Sequence, residues 1–151
     1  MALARLLHVF GIVVWVGGMF FAYLALRPAA AQELEPPQRL RLWRRVLQRF
    51  FSWVWFAVAL ILASGWYMMW QLSNASVPWY AYAMMGTGLL MMLIFVHVFF
   101  APFRRLRLSV AAQDWNSAGN ALNQIRILVA ANLILGLVNI AVATLGPAIG
   151  V

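Results

Sequence analysis

Long apolar stretches alternate with short polar connections along this chain. A helix needs about 20 apolar residues to cross a bilayer, and four stretches reach that length. They cover approximately residues 6–26, 50–70, 79–103 and 127–145. The pattern therefore predicts an all-α integral membrane protein, in which residues 1–151 form a single domain built as a four-helix transmembrane bundle.

Two of the three connections have helical patterns of their own. In the first, apolar residues recur at helical spacing between arginines: Leu40, Trp43, Leu47 and Phe50. This spacing is typical of an amphipathic helix that lies at the membrane interface. In the third, Asp114 is suited to cap a helix that begins near Trp115. We therefore predict short interfacial helices in both connections.

Arginine is distributed unevenly between the two ends of the predicted bundle. All 11 basic residues are arginines, and every one except Arg5 lies in the first or the third connection. The second connection, residues 71–78, has no charge, and neither has the C-terminal tail. Because arginine-rich loops favour the cytoplasmic side, we predict a bacterial inner-membrane protein with cytoplasmic arginine-rich loops and both termini periplasmic.

Composition supports the membrane assignment and excludes several functions. Only 9% of the residues are charged and 66% are hydrophobic, whereas soluble domains average about 25% charged residues. The net charge of +8 would suit nucleic acid, but the arginines flank apolar stretches as membrane anchors, so we predict no nucleic-acid partner. There is no cysteine, and the three acidic residues, Glu33, Glu35 and Asp114, all lie in connections. Any reaction would therefore depend on a bound metal or haem.

Polar residues inside predicted spans are functional candidates by default. His8 begins one helical face, which reads in order His8, Gly11, Trp15, Gly18 and Ala22. The two glycines on this face leave room either for a haem edge or for a closely packed neighbouring helix, and the pattern favours neither. We predict structural roles for the other polar residues. Asn132 and Asn139 in the fourth span can join helices through hydrogen bonds. The hydroxyls of Ser64 and Thr87 can bond to carbonyl oxygens of their own helices.

The second histidine, His97, lies near the opposite end of its span. At 1.5 Å per residue it is about 27 Å deep, whereas His8 is only about 5–8 Å deep. The first and third helices run in the same direction, so the two histidines are separated by roughly 20 Å in depth. Because metal–imidazole bonds are about 2 Å long, we predict that His8 and His97 do not ligate the same iron within one subunit.

Methionines occur as adjacent pairs: Met68–Met69, Met84–Met85 and Met91–Met92. The first two pairs flank the uncharged connection, at the same end as His8. Thioether and imidazole ligands suit Cu(I), and one histidine with one methionine also suits haem iron. The alternative is that these methionines only fill gaps between helices.

Several motifs resemble the CopD copper-resistance family. They are Leu7-His8 followed after six residues by Trp15-Val16-Gly17-Gly18, then Ser64-Gly65, Ala83-Met84-Met85-Gly86, Met91-Met92 and Phe95-Val96-His97-Val98-Phe99-Phe100-Ala101-Pro102. The resemblance implies a copper permease or accessory protein. Cu(I) would be captured at the external end by His8, Met68, Met84 and Met85, with Met91, Met92 and His97 as deeper stepping points.

The layout is also similar to the HemJ-type protoporphyrinogen oxidases, four-helix membrane proteins that bind haem b. His8, Trp15 and His97 match that pattern, but the third helix begins Tyr82-Ala83-Met84 where the family has His-Ala-Lys. This resemblance implies haem b near the external side, for electron transfer or porphyrin handling as a membrane oxidoreductase. Its candidate residues are His8, Tyr82, Met84, Met68, Met69, Trp15, Gly11 and Gly18.

Three functional hypotheses follow from the sequence, in this order: a haem b protein, a copper-handling protein, and a scaffolding subunit of a membrane complex. Under the first, the iron ligand opposite His8 is Met84 or Tyr82, or His8 of a second subunit in a homodimer with two-fold symmetry; otherwise His8 ligates the iron alone.

Overall fold

The computed structural model describes residues 1–72 and 77–149. This part of the chain is almost entirely helical and contains no strand, and four of its helices are long and apolar enough to cross a membrane. Those four are α1 (Ala2–Glu33), α2 (Pro36–Leu72), α3 (Trp79–Phe100) and α5 (Trp115–Ile149), with the short α4 (Pro102–Ala111) between α3 and α5. The predicted all-α membrane architecture is confirmed, while residues 73–76 of the uncharged connection lie outside the described part.

The predicted first interfacial segment and the second span form one continuous helix. α2 has 37 residues and is therefore about 55 Å long, well beyond the roughly 30 Å of a bilayer's hydrocarbon core. Its sequence has no glycine or proline between Pro37 and Gly65, so nothing interrupts the helix where the arginine-bearing part meets the apolar part. That the arginine-bearing part lies in the membrane interface stays a prediction.

The third membrane helix ends earlier than predicted. α3 stops at Phe100, three residues before the predicted end of the span at residue 103. Ala101 leaves the helical region with φ −106° and ψ −84°. Pro102 then starts α4, whose apolar face packs Phe103, Leu106 and Val110 against the first half of α5.

A tight turn joins α4 to α5. Gln113 adopts a left-handed conformation with φ 57°, and the Asp114 amide donates to the carbonyl oxygen of Ser109 at 2.9 Å. The Gln113 amide donates to Val110 at 3.3 Å, which completes a Schellman-type helix end. The Asp114 carboxylate then accepts a hydrogen bond from the Ser117 amide at 3.0 Å, which confirms Asp114 as the cap of α5.

The bundle consists of two helix pairs, α1 with α2 and α3 with α5. α2 and α3 meet mainly through aromatic side chains, and Phe51 is at the centre of that contact. Its ring lies 5.5 Å from Phe95 of α3 and 4.9 Å from Phe103 of α4, both edge-on. Apolar side chains cover the outside of the bundle as well, for example Leu93 and Ile134, which are 68% and 63% exposed. Such a surface fits contact with lipid.

Contacts between helices define the two ends of the bundle. His8 of α1 lies against Gly65 of α2, and Tyr80 of α3 lies against Gly146 of α5. We call this end of the bundle the histidine end. The opposite end, called the arginine end, contains the α1–α2 connection, α4 and the start of α5. Both ends of the described chain lie at the histidine end.

Candidate metal-handling site

His8 is held in place by α2. Its Nδ1 lies 3.0 Å from the Ser64 hydroxyl oxygen, and that hydroxyl donates its only proton to the main-chain oxygen of Leu60 at 2.5 Å. This contact fixes the imidazole ring of His8 against α2. Ser64 also confirms the predicted back-bond of its hydroxyl to its own helix.

The glycine face that begins at His8 is filled by α2. A Cβ atom at Gly11 would lie 2.7 Å from Cγ1 of Ile61 and 3.0 Å from the main-chain oxygen of Ala57. The Phe50 ring lies directly on Gly18. Of the two alternatives that the sequence left open, a haem edge or a packed helix, the structure has the packed helix.

The helix face that was predicted to accept a haem edge is instead covered by Ile61 and Phe50 of α2. Trp15 is 3% exposed and packs edge-on against Phe95 at 6.0 Å, within the core. Of the candidates for the opposite iron ligand, Tyr82 is 54% exposed and is carried by the other helix pair. The haem hypothesis is therefore unsupported.

Two other predicted candidates face away from the bundle interior. Met85 is 42% exposed, and His97 also lies on the outer surface of α3. The residues flanking His97 pack on Trp55, with Phe99 at 5.5 Å. Trp55 is nine residues before Ser64 on α2, so His97 and His8 lie about 14 Å apart along the bundle. This separation is smaller than the predicted depth difference of roughly 20 Å, and that the two histidines do not share an iron stays a prediction.

The remaining methionines of the predicted pairs lie nearer the interior. Met91 and Met92 belong to the buried core, whereas Met68, Met69 and Met84 are half-buried. Met68 is one turn beyond Ser64 and so lies on the same face of α2 as the partner of His8. Met84 is carried by α3 in the other pair. Met68 is thus carried by the helix that contacts His8, and Met84 is not.

Sequence reasoning missed Met19, which is 2% exposed. Met19 has no adjacent methionine in the sequence, so the pattern of methionine pairs does not include it. It lies one turn after Trp15 on the same face of α1. Met19 lines a small central void of about 10 Å³ together with Trp15 and Asn132. A void of this size is near the minimum for one water molecule.

Two asparagines of α5 join it to α3. Asn132 donates to the main-chain oxygen of Met91 at 3.2 Å, and Asn139 accepts from the Thr87 hydroxyl at 2.8 Å. Both asparagines therefore tie helices together, as predicted. Oδ1 of Asn132 is buried and accepts no hydrogen bond from the described residues, which leaves one polar acceptor in the core beside the methionines.

Within residues 1–72 and 77–149, no three His, Cys, Asp or Glu side chains lie close enough together to hold a metal ion. A metal in the interior would accordingly depend on thioether sulfur and on single imidazoles. These ligands are neutral, and the soft sulfur atoms favour Cu(I) over harder divalent ions.

The family described as Copper resistance protein D (CopD) matches residues 44–145 of the chain. The match spans more than half of the sequence and includes most of α2, all of α3 and α4, and α5 almost to its end. The chain belongs to the CopD family. No curated protein and no solved structure matches it.

The extent of the CopD match bears on the candidate residues. It includes Met91, Met92 and Asn132 in the core, but it begins after α1 and so excludes His8 and Met19. The family assignment therefore rests on the part of the bundle that carries the buried methionines of α3. Family membership and the four apolar helices together make this a multi-pass membrane protein related to copper resistance.

Proposed function

We propose that this CopD protein passes Cu(I) through the interior of its helix bundle. The observation that carries the proposal is membership of the copper resistance family. Cu(I) is the substrate that fits the available donors, because the spans predicted from the sequence contain neither cysteine nor carboxylate and offer thioethers and imidazole instead.

Buried methionines support a route through the core. Met91, Met92 and Met19 are each at most 9% exposed. Met84 and Met91 of α3 are seven residues apart, so they lie on one face of the helix. Thioethers at successive depths can exchange a Cu(I) ion without any charged side chain in the membrane, where charge is costly.

His8 and Met68 are the proposed entry ligands at the histidine end. The Ser64 hydroxyl lies 3.0 Å from Nδ1 of His8, and a hydrogen bond at one ring nitrogen is the usual arrangement for a histidine that binds a metal through the other. Met68 follows Ser64 by one turn on the same face of α2. If the histidine end is periplasmic, as the arginine distribution predicts, Cu(I) enters from the periplasm.

The test is to replace the core thioethers without changing the packing. The double substitution Met91→Leu/Met92→Leu removes both sulfur atoms while conserving volume, which should cost less than about 1.5 kcal/mol of stability at each site. We expect Cu(I) affinity in detergent, measured by competition with a chromophoric Cu(I) chelator, to fall by about tenfold or more. The copper content of cells that express the double variant should differ from that of cells that express the unsubstituted protein.

Met85→Leu is the matched control, because Met85 lies on the same helix but is 42% exposed. It should leave both measurements unchanged. The proposal fails if the core double variant is folded, by its circular dichroism, and binds and accumulates copper as the unsubstituted protein does. It also fails if Met85→Leu reduces affinity as much as the core substitutions.

A further inference from the structure

A cleft of about 470 Å³ opens at the arginine end, between the end of α1, the start of α2 and the start of α5. We call it the arginine cleft. Three arginines line it, one from each helix: Arg27, Arg39 and Arg126. Its size is within the range of about 300–1,000 Å³ that small-ligand sites occupy. Neither the copper proposal nor any candidate named from the sequence uses this cleft.

The charge of the arginine cleft is unbalanced. No aspartate or glutamate is among its lining residues, although Glu33 and Glu35 lie in the nearby α1–α2 connection. Arg27 is half-buried and stacks on the Tyr23 ring at 5.0 Å, so its guanidinium is held by an aromatic face rather than by a carboxylate. Three guanidinium groups with no carboxylate among the lining residues favour an anionic ligand, above all a phosphate.

The cleft also has a polarity gradient along the bundle axis. Its outer part, farthest from the histidine end, is lined by Arg39 and Trp115, and its deeper part by Phe50, Val129 and Ala22. Arg27 and Arg126 lie between these two parts, because each is about one turn from a deep lining residue on its own helix. A phospholipid has the same gradient, with a charged phosphate followed by apolar chains.

We propose that the arginine cleft binds one anionic phospholipid, with its phosphate at Arg27 and Arg126 and the beginning of its acyl chains against Phe50 and Val129. Basic pockets between membrane helices are suited to anionic lipid headgroups. The apolar deep part distinguishes a lipid from free phosphate, which would leave those side chains without a partner. Trp115, at the outer part, suits the headgroup level of a bilayer.

Gly119 gives a way to close the cleft without altering its charge. It lines the cleft, and a Cβ atom added there would meet no atom within 4 Å. A leucine at this position therefore has room to extend into the space that we assign to the lipid. Since it also replaces glycine in a helix interior, Gly119→Leu should not weaken α5.

The experiment is native mass spectrometry of the protein in detergent with short-chain phosphatidylglycerol, with phosphatidylcholine of the same chain length, and with inorganic phosphate. We expect phosphatidylglycerol to bind about tenfold more tightly than phosphatidylcholine. Arg27→Gln/Arg126→Gln should weaken phosphatidylglycerol binding by about tenfold or more. Gly119→Leu should reduce it by a comparable factor through bulk alone.

Arg45→Gln/Arg49→Gln is the control with the same change of charge, because both arginines are exposed on α2 and neither lines the cleft. It should change phosphatidylglycerol binding by less than about twofold. The proposal is overturned if this control weakens binding as much as the cleft variant, if Gly119→Leu has no effect, or if inorganic phosphate binds as tightly as the lipid. None of these results bears on Cu(I) affinity, so the two proposals are tested separately.

Discussion

Glycines of α1 differ in what surrounds them, although the sequence presents them alike. Gly11 lies directly against Ile61 and the main chain of Ala57, whereas Gly17 is exposed and has no atom within 4 Å of a Cβ position. Small residues allow close approach of membrane helices, so Gly11 is required by the α1–α2 contact and Gly17 is not.

We therefore predict opposite effects for the two alanine substitutions. Gly11→Ala forces α1 away from α2 and should destabilise the protein by about 1–3 kcal/mol, as overpacking of a core does. Gly17→Ala should be neutral or stabilising by up to about 1 kcal/mol, because alanine is the better helix former. Unfolding of both variants in mixed micelles measures the difference. Equal stability of the two variants would contradict the close packing at Gly11.

At the scale of elements, the α4–α5 turn depends on Asp114. The hydroxyl of Ser117, together with the Ser117 amide, bonds to the Asp114 carboxylate and lowers its pKa below the ordinary value. A group whose pKa is lower in the folded state stabilises that state above its unfolded pKa, and the contribution is lost as the pH falls through the folded pKa. The α5 cap should therefore weaken on acidification.

Asp114→Asn tests this cap, since asparagine keeps a capping oxygen but does not titrate. The thermal midpoint of the unsubstituted protein should fall more on acidification below the ordinary aspartate pKa than that of Asp114→Asn. Asp114→Ala, which has no capping oxygen, should have a lower midpoint at neutral pH than either. The same acid dependence in all three proteins would show that Asp114 does not link stability to pH.

For the whole molecule, the distribution of arginine predicts which side of the membrane each end faces: the histidine end is periplasmic and the arginine end is cytoplasmic. The absence of cysteine makes it directly testable. Gln71 is exposed at the histidine end of α2, and Asn116 is exposed near the start of α5 at the arginine end. Single cysteines at these positions report on opposite ends of the bundle.

A membrane-impermeant thiol reagent applied to intact bacterial cells with an opened outer membrane should label Gln71→Cys and not Asn116→Cys. After the inner membrane is permeabilised, both variants should be labelled. Labelling of Asn116→Cys alone in intact cells would reverse the predicted orientation and, with it, the proposed periplasmic entry of Cu(I).

The sequence by itself determined the number of membrane helices, the Asp114 cap and the roles of the fourth-span asparagines. These features are local: a long apolar stretch, a capping residue or a single buried amide has few physical alternatives. It did not determine that the first interfacial segment continues into α2, because an amphipathic pattern followed by an apolar one is compatible with one helix or with two.

Only the tertiary structure decided what lies against each helix face. The face of His8, Gly11 and Gly18 fits a flat cofactor and a packed helix equally well as a pattern, and the positions of Ile61 and Phe50 select the helix. Met19 is buried and Met85 is exposed for the same reason: the neighbouring helices decide which side chains are covered. The arginine cleft likewise combines the adjoining ends of α1 and α2 with the start of α5, which is distant in the sequence, so no local pattern could predict it.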